Sequence, residues 1–179
     1  MGSEAVRSNS LPEYWAVKPG HEKRGKELIS NPPEPEMTLE FAIEPKDYNK
    51  TGKASSEIKL FLKKVGVNPE ILRRVAVASY EAEINVTAHS EGGKIYANIY
   101  QDYIMIYLED EGPGIPDIEQ AMIPGFSTAD DLAREMGFGA GLGLPNIKKN
   151  CDVMYIRSAK GESTYLAFII FFEANNSDD

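Results

Sequence analysis

Ser79-Tyr80-Glu81-Ala82-Glu83-Ile84-Asn85 is the stretch from which the rest of the chain is read. It lies in a run that opens at Asn68-Pro69, where asparagine suits a helix cap and proline the first helical position. The run carries Ile71, Leu72, Val75, Val77, Ala78, Ile84 and Ala88, a spacing that predicts one long helix. On a helix, Glu81 and Asn85 stack on one face. A carboxylate and an amide oxygen then aim at one point, as a base and a hard-cation ligand would. Glu83, two positions from each, points elsewhere and reads as a solvent-facing acid. The plainer alternative is a structural Asn85 satisfied by neighbours, since a helical asparagine beside Val77, Ile84 and Ala88 needs partners.

Outward from that helix the pattern alternates between periods. Thr38 to Ile43 reads as a strand, and Asp47 to Val65 carries Ile58, Leu60, Phe61, Leu62 and Val65 at near-helical spacing until Gly66 stops it. Gly92-Gly93 closes the long helix. Lys94 to Tyr100 and Tyr103 to Glu109 read as strands joined by a tight turn at Gln101-Asp102, the second apolar throughout, as in a central strand. Residues 111–141 have little period apart from a short helix near Ile118. A helix from Leu142 to Asn150 follows, then strands from Val153 to Ser158 and Tyr165 to Phe172 around Gly161. This order is not the regular alternation of a doubly wound sheet. It predicts an α/β two-layer sandwich, with helices on one face of a mixed, mainly antiparallel sheet.

Residues 37–173 are expected to form this domain and 174–179 an acidic tail. Residues 1–36 contain Pro12, Pro19, Pro32, Pro33 and Pro35 and read as a flexible arm, or in part a cloning remnant given the opening Met-Gly-Ser. Within the arm, Gly20 to Ser30 suits a short charged helix, and Leu11, Tyr14 and Trp15 a small apolar patch.

Composition narrows the function. The chain has 179 residues, 42% hydrophobic and 26% charged, which suits one globular domain. Its formal net charge of -9 argues against a nucleic-acid or anionic-membrane surface. No apolar run approaches the roughly 20 residues of a membrane span, and no apolar secretory region opens the chain, so the cytoplasm is the expected compartment. Cys151, the single cysteine, excludes an internal disulfide and a cysteine-cluster metal site.

Two glycine-rich runs complete the pattern. Asp110-Glu111-Gly112-Pro113-Gly114, followed by Ile115, ends a central strand. A carboxylate there can accept from the exocyclic amine of a base, and the glycines admit a flat ring; the plain alternative is an acidic turn. Gly137, Gly139, Gly141 and Gly143 alternate into a helix whose N–H groups can hold phosphates; the alternative is a flexible hinge. No strand precedes these glycines as a Rossmann motif requires, and Leu144-Pro145 stands where a P-loop needs Lys-Ser/Thr. A protein-kinase glycine loop would precede a strand with its lysine, which is also missing. The joint reading is a magnesium-ATP site.

In this order, the elements resemble the GHKL superfamily of ATPases, closest to its bacterial anti-sigma-factor serine/threonine kinases. Glu81-x-x-x-Asn85 is similar to the family's N box, Asp110-x-Gly112-x-Gly114 to its first glycine box and Gly139-x-Gly141-Leu142-Gly143-Leu144 to its second. Gly161-Glu162-Ser163-Thr164 is similar to its late turn. The resemblance implies that Glu81 is the general base and that Asn85 gives its oxygen to magnesium. It implies that Asp110 accepts from the adenine amine, with Gly112, Gly114 and Ile115 around the adenine. Gly139, Gly141, Leu142 and Gly143 would contact phosphates, with Leu144 next to them, and Thr164 would support Asp110 or the base. Residues 119–138 would form an ATP lid. The implied activity is phosphorylation of a small anti-anti-sigma protein with ATP and magnesium, together with sigma-factor binding. A homodimer is also among the expected partners, and direct nucleic-acid or membrane binding is not. The rival from another class is a nucleotide-gated binding module without phosphoryl transfer. Ser163 departs from the family's usual glycine, and Arg134 sits earlier than the arginine many relatives place near the phosphates.

Overall fold

The computed structural model describes residues 11–126 and 143–173. The elements in chain order are β1 (Glu13–Val17), α1 (Glu22–Ser30), β2 (Met37–Ile43), α2 (Lys53–Lys64), α3 (Pro69–His89), β3 (Gly93–Ile99), β4 (Tyr103–Asp110), α4 (Ile118–Ala121), α5 (Gly143–Asn150), β5 (Val153–Arg157) and β6 (Tyr165–Phe171). The strands make one sheet in the order β1-β5-β6-β4-β3-β2. Every pairing is antiparallel. The expected α+β sandwich is therefore the fold observed. Among the described residues no helix is long and apolar enough to cross a membrane.

Alternation along the strands splits their side chains between two faces. Ile104, Ile106 and Leu108 of β4, with Leu166, Phe168 and Ile170 of β6, meet Ile58 and Leu62 of α2, Val75, Ala78, Ala82 and Val86 of α3, and Ile147 of α5. This is the main core, and removing a ring such as that of Phe168 from it costs about 3–5 kcal/mol. The long helix begins as its sequence indicates, with Asn68 Oδ1 accepting from the Glu70 N–H at 2.8 Å and Pro69 at the first position.

The other face is largely aromatic. Tyr103, Met105, Tyr155, Ala167, Ile169 and Phe171 are buried there against Ile29, with Trp15 and Leu28 packed alongside. Here the structure departs from the reading of residues 1–36 as an arm. Within that segment β1 pairs with β5 in register from Glu13↔Arg157 to Val17↔Val153. Helix α1 covers part of the aromatic face, so a helix lies on the second face in addition to the layer on the first. The short helix was foreseen; a sheet partner was not, and instead of forming one patch Tyr14 packs against the main core and Trp15 against the aromatic face. A five-residue strand between prolines gives little local signal, and its pairing is decided by a strand near the other end of the chain.

Candidate functional site

The helical face predicted to carry chemistry holds its two residues together. Glu81 and Asn85 project from α3 toward the first residue of α5. A methyl group added at Gly143 would stand 3.3 Å from Glu81 Oε2 and 3.8 Å from Asn85 Oδ1. Two oxygen-bearing side chains thus face the start of α5 among the described residues, and the N-terminal end of a helix dipole favours anions. Asn146, one turn into α5, donates to Glu81 Oε1 at 3.4 Å. Burial raises the pKa of Glu81 above the ordinary carboxylate range, and the bond from Asn146 pulls it back in part. A carboxyl held that way is a better proton acceptor than a free one.

A second cluster surrounds the end of β4. Asp110 Oδ1 accepts from the Gly112 N–H at 3.1 Å and the Thr164 N–H at 3.0 Å. Oδ2 has no partner among the described residues. Burial drives the Asp110 pKa up to about 6, against the lowering effect of those two backbone donors. The loop after Asp110 is fastened at two places. Glu91 N–H donates to the Gly112 carbonyl at 3.2 Å, and Gly161 N–H to the Pro113 carbonyl at 2.6 Å. Gly114 has φ +82°, and a methyl there would overlap the Ala159 carbonyl and come within 2.6 Å of that of Glu162, so no side chain fits. The Thr164 hydroxyl reaches Ser158 Oγ at 2.7 Å, and that oxygen accepts from the Ile115 N–H at 2.8 Å. Thr164 thus supports Asp110 through its backbone and Ile115 through Ser158.

Helix α3 joins the two clusters: it carries Glu81 and Asn85, and the turn after it holds the Asp110 loop. Leu144 is buried in the main core, so its side chain serves packing. Gly139, Gly141 and Leu142 lie outside the described residues, as do Arg134 and residues 127–138 of the expected lid.

Two participants escaped the sequence reading. Asn146 had a signal, since an asparagine inside a short helix is unfavourable without a partner. Ser158 had none. One expectation is corrected. Glu83 does not face solvent; it is 2% exposed. Its Oε1 accepts from the N–H groups of Gly52 (2.9 Å) and Ala54 (3.4 Å), and its Oε2 from Ser55 (3.3 Å). Pointing away from Glu81 and Asn85 means pointing at the start of α2, where the unpaired N–H groups need an acceptor.

Among the described residues no group of three or more histidine, cysteine or acidic side chains could hold a metal by itself. The one residue expected to hold a cation, Asn85, offers a single side-chain oxygen, and magnesium is a cation that takes one or two protein oxygens and otherwise phosphates and water.

Several curated proteins are similar to the chain. It is 32% identical to the serine/threonine-protein kinase RsbT of Bacillus subtilis over 111 residues, covering 60% of this chain and 77% of that protein. It is 29% identical to the anti-sigma F factor of Clostridium novyi over 110 residues, 58% and 73% of the two chains. The anti-sigma F factor of Clostridium beijerinckii is 34% identical over 96 residues, 50% and 64%. No family model matches.

Proposed function

We propose, from the premise that this chain belongs to the anti-sigma-factor serine/threonine kinases of the GHKL ATPase superfamily, that it binds magnesium-ATP and phosphorylates a serine or threonine of a small anti-anti-sigma protein, and that it also binds a sigma factor. The observation that carries the reading is the convergence of Glu81 and Asn85 on Gly143. It supports a phosphate-binding helix start with a base and a cation ligand beside it. The clamped loop from Asp110 to Ile115 supports an adenine site, with the free Asp110 oxygen as acceptor for the exocyclic amine.

In the proposed reaction the acceptor hydroxyl oxygen bonds to the γ-phosphorus of ATP. The bond to the bridging oxygen breaks, with its electron pair leaving on ADP, and the hydroxyl proton passes to Glu81. Magnesium, when bound, would neutralise phosphate charge; Asn85 would hold it. The chain's own work is to orient Glu81 through Asn146, keep it partly dry and offer backbone N–H groups to phosphate. Positioning of this kind accounts for most of phosphoryl-transfer catalysis.

The test is transfer from radiolabelled ATP, with magnesium, to a panel of small anti-anti-sigma proteins. Glu81→Gln should keep ATP affinity within a few-fold and lose transfer by about 10²-fold or more. If the wild type labels no panel member, yet ATP changes its hold on a sigma factor and Glu81→Gln behaves the same, the protein is a nucleotide-gated module and not a kinase.

A further inference from the structure

Strand β1 reaches the supports of both clusters without lining either. Just before it, the Pro12 carbonyl accepts from the Ser158 N–H at 3.3 Å, and the hydroxyl of that serine accepts from Ile115 in the Asp110 loop. Just after it, Lys18 meets the far end of α5. The Lys18 N–H donates to the Asp152 carbonyl at 2.9 Å. Its Nζ donates to the Lys149 carbonyl at 3.2 Å and lies 4.0 Å from Asp152 Oδ1. Between the two ends, Lys148 Nζ donates to the Tyr14 hydroxyl at 3.1 Å. Helix α4 also packs against β1.

The last carbonyls of a helix have no partner within it and are well met by cations. For α5 the cations come from two sides. Lys18 comes from the end of β1, and Arg74 from α3, with Nε donating to the Asn150 carbonyl at 3.1 Å and Nη2 to Asp152 Oδ1 at 2.9 Å. Asp152 is 8% exposed, and its Oδ2 accepts from the Phe171 N–H at 2.9 Å, so it ties both cations to the sheet. From there the bonds run toward the site. Asn150 Nδ2 donates to the Asn146 carbonyl at 2.8 Å, and Asn146 donates to Glu81. A helix as short as α5 is only about 12 Å long, so a tilt set at Asn150 is felt at Gly143 and Asn146.

We infer that β1 is a brace for the candidate site: seated on β5, it fixes the far end of α5 through Tyr14 and Lys18, and so sets where α5 presents Gly143 and Asn146 to Glu81. Tyr14 and Lys18 are positioning residues. The Ser158 contact gives the brace a second foothold, under the Asp110 loop. The inference rests on the nucleotide reading for the ligand alone; the contacts it invokes do not. Linkage makes the effect reciprocal. Whatever seats β1 tightens the site, and a nucleotide bound there holds β1 down by the same factor.

The experiment takes the full chain through amide hydrogen exchange and through calorimetry with magnesium and ATP. Three variants are compared. Tyr14→Phe/Lys18→Glu sets a carboxylate against Asp152 and the end of α5, Lys18→Arg keeps the cation, and Lys50→Glu alters the exposed pair with Asp47. Without nucleotide, the double variant should exchange residues 147–151 about threefold faster or more, with residues 58–62 of α2 within twofold of wild type, and it should bind ATP about threefold more weakly or worse. Lys18→Arg and Lys50→Glu should match wild type in both measurements. In the wild type, ATP should slow exchange across residues 13–17, a readout that needs no variant. Wild-type exchange at 147–151 in the double variant overturns the brace, whatever ATP does. So does equal acceleration at 58–62, which is general loosening. ATP that binds wild type and double variant alike, or binds the wild type without protecting residues 13–17, overturns it too. If the wild type binds no ATP, the nucleotide reading falls, and faster exchange confined to 147–151 sustains the brace by itself.

Discussion

Asp110 shows how one side chain can set the working conditions of a site. Its burial, which lifts the pKa to about 6, means that acid neutralises it just below physiological pH. In the proposed site only the ionised form is a full acceptor for the adenine amine, so ATP affinity should hold above pH 7. It should fall by up to tenfold per unit below about pH 6, as calorimetry from pH 7.5 to 5 would read. The sign for stability is the opposite. A carboxyl whose folded pKa is raised favours the fold when protonated, and that contribution disappears as pH rises from the usual aspartate range through about 6. Asp110→Asn should therefore melt above wild type at pH 7–8, with the gap closing toward pH 4, while losing a charged hydrogen bond of about 1.5–3 kcal/mol to ATP. Glu83 behaves differently. Three N–H groups rely on it, two of them buried and that of Gly52 partly so, so Glu83→Ala should cost about 1–3 kcal/mol and lower the thermal midpoint measured by circular dichroism. Period placed Glu81, Asn85 and Glu83 correctly around the helix; it could not say what Glu83 would meet, because the start of α2 comes against it only through tertiary packing.

At the level of elements, the long helix and the central hairpin were legible because their periods are strong and their ends marked by Asn68-Pro69 and Gly92-Gly93. Strand β1 was not, for it is short, lies between Pro12 and Pro19, and owes its conformation to β5. The contact that seats α1 over that end of the sheet is specific. At Gly25 any side chain would collide with the methyl groups of Val153, and Arg24 reaches Asp102 at 2.6 Å while lying over the ring of Phe171. Gly25→Leu should lift α1, uncover Val153 and Tyr103 and raise binding of a hydrophobic dye, with a fall in thermal midpoint. A Gly25→Leu protein that melts and binds dye like wild type would mean that α1 contributes nothing to the fold.

Across the whole molecule, two apolar layers back onto one sheet, and the proposed chemistry occupies the junction between the helical layer and the end of β4. The strand order has a further consequence, for the timing of assembly. β1 is synthesised well before β5, yet Glu13 and Tyr155, 142 positions apart, share a hydrogen bond of 2.8 Å. Closing so long a loop is slow, and β1 has nowhere to pair until β5 and β6 exist. Nature supplies a reporter, because Trp15, the chain's single tryptophan, lies tilted against Tyr155 with ring centroids 4.5 Å apart. In stopped-flow refolding, the final change in tryptophan emission should lag the recovery of far-ultraviolet ellipticity; coincident traces would mean that β1 docks with the rest. A strand synthesised before its partners is thus the last of the described strands to dock, and its arrival marks the completion of the sheet.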